Sequence, residues 1–260
     1  MVALPGRHGG HPVNELITWL TTAATWQGET GIPFRLLEHL AICAVSVAAA
    51  TAIALPIGLY IGHTGRGATA AINIANIGRA VPSYAVIVII LPISLQLSPE
   101  YGLDLIPTFI AMVLLAIPPI LVNAYAGLRE VDRDLVEAAR GMGLREGQIL
   151  RGVELPLASP VIMGGFRTAV LNVIATATIG AVVSFGGLGR FIMDGRAKGI
   201  AGTGELLGGA LLVAVLAVGI DLLLAFFQRR LARRANPELP RGGGLSDLPE
   251  FPLLPELERA

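Results

Sequence analysis

Long stretches of this chain carry no charge, and that absence restricts its fold more than any other feature. Leu40 to Gly62, Ala80 to Pro99, Leu105 to Leu128 and Thr168 to Gly189 contain no Asp, Glu, Lys, Arg or His, and Leu206 to Gln228 contains only Asp221. A bilayer core about 30 Å thick takes roughly 20 helical residues to cross. Lipid cannot satisfy free backbone groups, so each window is read as a helix. The expectation is an all-α membrane protein with about five transmembrane helices. Only 15% of the 260 residues are charged, against about 25% in soluble domains, which excludes a disordered chain, a nucleic-acid-binding domain and an ordinary soluble enzyme. Net charge is zero, so no nucleic-acid partner is expected. A single cysteine, Cys43, excludes an internal disulfide and a cysteine metal cluster. His8 and His11 lie in a glycine-rich leader and are read as solvated, so no metal site is expected.

The second window is the least defined. Apolar sequence begins near Ala68, and a helix from there to Leu97 would be about 45 Å long. It must tilt, kink at Pro82 or Pro92, or start in the cytoplasm. Asn73, Asn76, Arg79 and Ser83 would form one polar stripe on it. That stripe faces either a translocation path or, for the first three, the cytoplasmic interface.

Orientation follows from arginine and lysine in the connections. With the N-terminus outside, the inner segments hold 14 of these residues, Arg167 among them, and the outer segments hold 5. The predicted topology is therefore N-out and C-in. Residues 1–35 form an extracytoplasmic segment that lacks the basic start of a secretory signal. Within it Val13 to Trp26 is either a short interfacial helix or a poorly ordered leader. Residues 36–230 form the membrane domain, with a cytoplasmic loop over 126–158. Residues 231–260, rich in Pro and Gly, form a flexible cytoplasmic tail.

The loop carries the most informative pattern. Asp132 or Asp134 can cap a helix over Leu135 to Arg140. Gly141 and Gly143 end it with residues able to take positive φ. A second short helix runs from about Arg145 to Val153, and Pro156 stops or redirects the chain. Glu137-Ala138-Ala139, then Gly143, Val153 and Leu155-Pro156, resembles the EAA signature of ABC importer permeases, with Val153 where isoleucine is usual.

The resemblance implies that this loop docks into a groove on a cytoplasmic ATPase. Ala138 and Ala139 would keep a helix face thin, Gly143 would set the turn, and Glu137 would anchor to Arg140, to Arg145 or to a partner. The likeness runs from about Leu36 to Arg230. Arg79-Ala80-Val81-Pro82-Ser83, Pro160-Val161-Ile162-Met163 and Gly186-Gly187-Leu188-Gly189 resemble permeases of the glycine betaine, choline and carnitine group. Ser184-Phe185 stand where that group often has Gly-Ala. Methionine-type permeases share the EAA and Gly-Gly-Leu-Gly elements, and they are the alternative substrate class.

What the resemblance implies is a type I ABC importer permease in a bacterial inner membrane. Its partners would be an ATPase dimer, a second permease copy or paralogue, an extracytoplasmic substrate-binding protein and the lipid bilayer. The chain would bind no cofactor and would not be an enzyme. It has no Gly-x-x-x-x-Gly-Lys-[Ser/Thr] phosphate loop, so ATP and Mg would be used by the ATPase. An ion-coupled carrier would need paired intramembrane charges, and a membrane enzyme a cluster of His, Asp or Glu.

Candidate path residues are Ser83, Asn172 and Thr176, with Asn73, Asn76 and Asn123. Their amides and hydroxyls serve equally to bind neighbouring helices. Asp221 is the one acid deep in a window. It is read as structural, paired with Arg79 or Arg167 or simply hydrogen-bonded. Prolines 56, 82, 92, 107, 118 and 119 suggest kinked helices.

Overall fold

The computed structural model describes residues 11–98, 100–103 and 105–235. His8 and the expected tail beyond 235 lie outside the described residues. The order is α1 (Pro12–Thr21), α2 (Ile32–Thr64), α3 (Ala68–Ala80), α4 (Ser83–Leu97), α5 (Leu105–Arg129), α6 (Arg133–Gly141), α7 (Glu146–Ile149), α8 (Leu155–Gly180), α9 (Gly189–Ala197) and α10 (Thr203–Ala235). Among the described residues there is no strand. Four segments there are long and apolar enough to span a bilayer: Ile32–Thr64, Leu105–Arg129, Glu146–Val183 and Gly199–Ala235. Ser83–Leu97 is a shorter fifth.

Helix α5 is the central post. It packs against α2 on one side and α8 on another, with α3 and α4 also against it. Apolar side chains gain little by leaving lipid for each other, so close backbone approach carries the contact. Small residues permit it. A Cβ on Gly58 would sit 2.7 Å from Ala124 Cβ, and one on Gly62 would sit 2.8 Å from Leu128 Cβ. On the other side, a Cβ on Gly165 would lie 2.5 Å from the Pro119 carbonyl oxygen. The centre is filled by Met112, Ala116, Ile120, Val173 and Ile174.

The expected long second helix is two helices. Val81 adopts φ −79° and ψ 123°, the extended conformation that a following proline imposes. The chain turns at Pro82 and restarts at Ser83. Ser83 therefore leaves the helix that carries Asn73 and Asn76, and the expected continuous stripe is broken. Helices α2, α4 and α5 continue through Pro56, Pro92 and the Pro118-Pro119 pair.

Helix α8 begins well before Thr168, where the charge-free window starts. It runs on through Pro156 and Pro160, so Pro156 does not stop the chain. One wider turn, Leu150–Glu154, joins α7 to α8. Arg167, counted above as a loop residue, lies inside this helix. Its guanidinium forms a two-pronged pair with Asp221 of α10, Nε to Oδ1 at 2.5 Å and Nη2 to Oδ2 at 2.7 Å. Opposite charges matched in this way can sit within a span, and a search for charge-free sequence misses them.

The N-terminal helix is ordered and docked. Helix α1 lies along the start of α10, where Gly204 meets the backbone of Glu15 and Gly208 meets the Trp19 ring. Trp19 also stands edge-on to Phe191 at 5.1 Å.

Gly165→Leu should destabilise the fold by about 1–3 kcal/mol, because the facing atoms, Asn123 Cβ and the Pro119 carbonyl oxygen, cannot move aside. Gly219→Leu, with nothing within 4 Å, should change stability by less than about 0.5 kcal/mol. Thermal unfolding of the two variants in detergent checks this.

Candidate coupling site

The charged loop starts and turns where its caps predict, except that Gly141 is the last residue of α6 and takes no positive φ, which leaves the turn to Gly143 alone. Asp132 accepts a hydrogen bond from the Asp134 amide at 2.9 Å and starts α6. Gly143 takes φ +85°, and the amides of Met142, Gly143 and Leu144 bond back to Ala138, Arg140 and Ala139. This closes the helix end with a left-handed residue. The second helix starts where the Arg145 amide donates to Gln148 Oε1 at 2.8 Å.

The EAA residues divide between two faces. Ala139 is buried with Leu128, Val131, Val136, Ile149 and Ala158, and Val153 packs against that cluster. Glu137 and Ala138 are exposed. The two alanines therefore do different work: Ala139 lets α6 sit close on its own domain, and Ala138 keeps the outer face low. Glu137 does not hold Arg140. That guanidinium pairs instead with Glu146 at 2.8 Å, and the hydrogen bond raises the Arg140 pKa above its ordinary value. Leu155 is half-buried, and Pro156 is exposed at the start of α8.

Sequence reading missed two residues of the outer face. Leu135 is 50% exposed and Met142 is 77% exposed. With Ala138 they recur three and four residues apart, so they form one stripe. Together they give this outward face an apolar stripe. The signal was their helical spacing within an otherwise polar segment.

The candidate path residues do not converge. Asn172 is exposed on α8, whereas Thr176 is 3% exposed and its hydroxyl donates to the Asn172 carbonyl. Thr176 presents nothing to an open path in this arrangement. Asn123 donates to the Pro119 carbonyl at 2.8 Å and lies against Gly165. Asn73 and Asn76 are exposed on α3, and Ser83 is half-buried at the start of α4. An apolar groove of about 640 Å³ between α2, α8 and α10 contains none of them. At the opposite end from the loop, a polar cavity of about 910 Å³ lies among α1, α9 and the start of α10. Arg190 and Asp194 line it as a pair at 3.0 Å, and Lys198 and Glu205 as another at 2.5 Å.

The outer Gly186–Gly189 loop is anchored to α2. The Gly187 amide donates to Glu38 Oε2 at 2.6 Å. Gly187 takes φ +69°, and so does Ser184. That is the left-handed region, which suits glycine at 187 and is strained for serine at 184.

Residues 54–236 match the family model described as "Binding-protein-dependent transport system inner membrane component". The chain is 34% identical over 198 residues to the choline transport system permease protein OpuBB of Bacillus subtilis, covering 76% of this chain and 87% of that one. It is 37% identical over 203 residues to the carnitine transport permease protein OpuCD of Listeria monocytogenes, covering 78% and 87%. It is 35% identical over 189 residues to the osmoprotectant import permease protein OsmW of Salmonella typhimurium, covering 72% and 85%. Among solved structures, the inward-facing MetNI methionine ABC transporter matches with a TM-score of 0.67 at 24% identity, covering 77% of this chain and 95% of that one. At that identity the likeness speaks for the fold.

Gly143→Val adds about 1 kcal/mol of backbone strain at a site with open space. The membrane domain should still insert. Gly143→Val, Glu137→Arg and Met142→Asp should each weaken ATPase association, measured by co-purification, while Gly141→Ala, which needs no positive φ, should not.

Proposed function

Since the chain belongs to the family of binding-protein-dependent transport system inner membrane components, we propose that it is the membrane subunit of an ATP-driven importer for compact quaternary ammonium osmolytes such as glycine betaine, choline or carnitine. It lies in the bacterial inner membrane and carries no catalytic group of its own. The observation that supports the substrate class best is identity of 30–37% to osmoprotectant permeases over most of the chain.

In this reading, α6 and the turn at Gly143 dock on a separate ATPase, which binds ATP and Mg. The Leu135, Ala138 and Met142 stripe enters the ATPase groove, with Glu137 at its edge. A second permease, identical or paralogous, completes the pathway, and an extracytoplasmic binding protein delivers the osmolyte. Quaternary ammonium groups are held best by aromatic cages. The chain is only 5% aromatic, and the deep acid Asp221 is neutralised by Arg167. Selection therefore belongs to the binding protein, and the permease provides a weak polar route on exposed faces such as that of Asn172. The intramembrane charge pair also serves as the cross-link between α8 and α10, which gives an ion-coupled mechanism no free carboxylate there. A methionine importer is the second reading, supported by a shared fold and by the EAA and Gly-Gly-Leu-Gly resemblance.

ATP-dependent uptake of glycine betaine or choline into proteoliposomes should require the binding protein, and Asn172→Ala should change rate more than substrate preference. Uptake of methionine with no quaternary ammonium compound would replace the substrate class and leave the transporter class standing. For topology, Cys43 is replaced first. Gly147→Cys, in open space, should then be protected from an impermeant thiol reagent in intact cells. Ile200→Cys, 76% exposed, should react.

A further inference from the structure

The cytoplasmic end of α2 reaches into the loop. His63 Nε2 lies 3.3 Å from Glu146 Oε2, and Nδ1 lies 2.5 Å from Glu154 Oε2. The ring thus stands between two carboxylates, with the Nδ1–Glu154 contact the shorter one. The two acids are unequal. Glu154 is 1% exposed at the wide turn that begins α8, while Glu146 is 56% exposed on α7 and also holds Arg140. Such wide turns are frequent at functional sites. A buried carboxylate needs a partner to remain in the fold, and His63 is the partner Glu154 has.

Among the described residues, every ion pair between α2 and the 133–154 segment passes through His63. Gly62 beside it packs on Leu128 and the Tyr125 backbone, so this helix end is held firmly. At its other end, 33 residues from start to finish and about 50 Å long, α2 holds the outer Gly186–Gly189 loop through Glu38. Helix α2 is thus tied at one end to the coupling loop and at the other to the outer loop.

We infer that His63 is a positioning residue for transport: it links the coupling loop, through Glu146 and Glu154, to α2, and α2 carries loop movements to the outer Gly186–Gly189 turn. The inference rests on the proposed ATPase-coupled reading. A displacement of α7 acts on His63 from the exposed side, while Glu154 keeps α2 and the base of α8 moving together.

The test uses the complex co-purified with its ATPase and binding protein, in liposomes, with Cys43 replaced and Val182→Cys introduced. Val182 is 44% exposed in the short helical turn Ala181–Val183 that leads into Gly186–Gly189. Adding a non-hydrolysable ATP analogue should change the rate of maleimide labelling at 182 by about tenfold, a size typical of coupling between sites. His63→Leu should abolish the response with the ATPase still bound, and His63→Arg, which offers several donors to the same carboxylates, should retain most of it. Glu146→Ala, an exposed change that spares the fold, should reduce the response and decides the matter if His63→Leu fails to insert. A full nucleotide response in His63→Leu or, in that case, in Glu146→Ala overturns the inference. So does no response in an assembled wild-type complex. Failure of the ATPase to co-purify with the wild-type chain instead overturns the proposed function itself.

Discussion

Close backbone contact along α5 is the interaction on which this membrane domain depends. In lipid, leucine and valine gain little by touching each other rather than acyl chains. What remains is dispersion between surfaces that fit, together with hydrogen bonds. Gly58 and Gly62 let α2 approach α5, and Gly165 lets α8 approach it from the other side. A side chain at any of these positions meets backbone or a Cβ, neither of which can turn away. The large apolar side chains face outward or fill the remaining gaps, and many are exposed to what would be lipid.

Upon that frame several charged groups are placed in matched sets. Arg167 and Asp221 neutralise one another between α8 and α10. Glu38 receives the Gly187 amide at the outer end of α2, and His63 receives Glu154 at the inner end. Each joins two elements distant in sequence. The bilayer makes an unmatched charge costly, so the same groups that are risky alone become cross-links when paired. Helices α2 and α8 are thereby tied near both membrane faces.

The coupling loop follows another rule. It is polar, short and held by local chemistry: an Asp132 cap, a left-handed Gly143, a Gln148 contact with the Arg145 amide. Its inner face closes on the domain through Val136, Ala139 and Ile149. Its outer face leaves Leu135 and Met142 exposed, which is the surface the proposed ATPase contact would cover.

Much of this was legible in the chain itself. Windows without charge identify the spans because lipid rejects unpaired charge, and Asp132 and Gly143 mark the loop because caps and positive φ are local requirements. The same logic explains what was not legible. Sequence alone assigns Arg167 to a loop because a lone arginine is costly in lipid, and only the fold supplies Asp221 from 54 residues away. Pro82 was one of several possible kinks, and packing against α5 is compatible with a full break there. Asn172 and Thr176 share a helix face by spacing, yet one is exposed and the other buried, since burial depends on which neighbour arrives. Nor does the chain alone pair His63 with Glu154 across 91 positions. Charge, capping and backbone freedom are properties of a segment. Pairing and burial are properties of two segments meeting, which the tertiary structure decides.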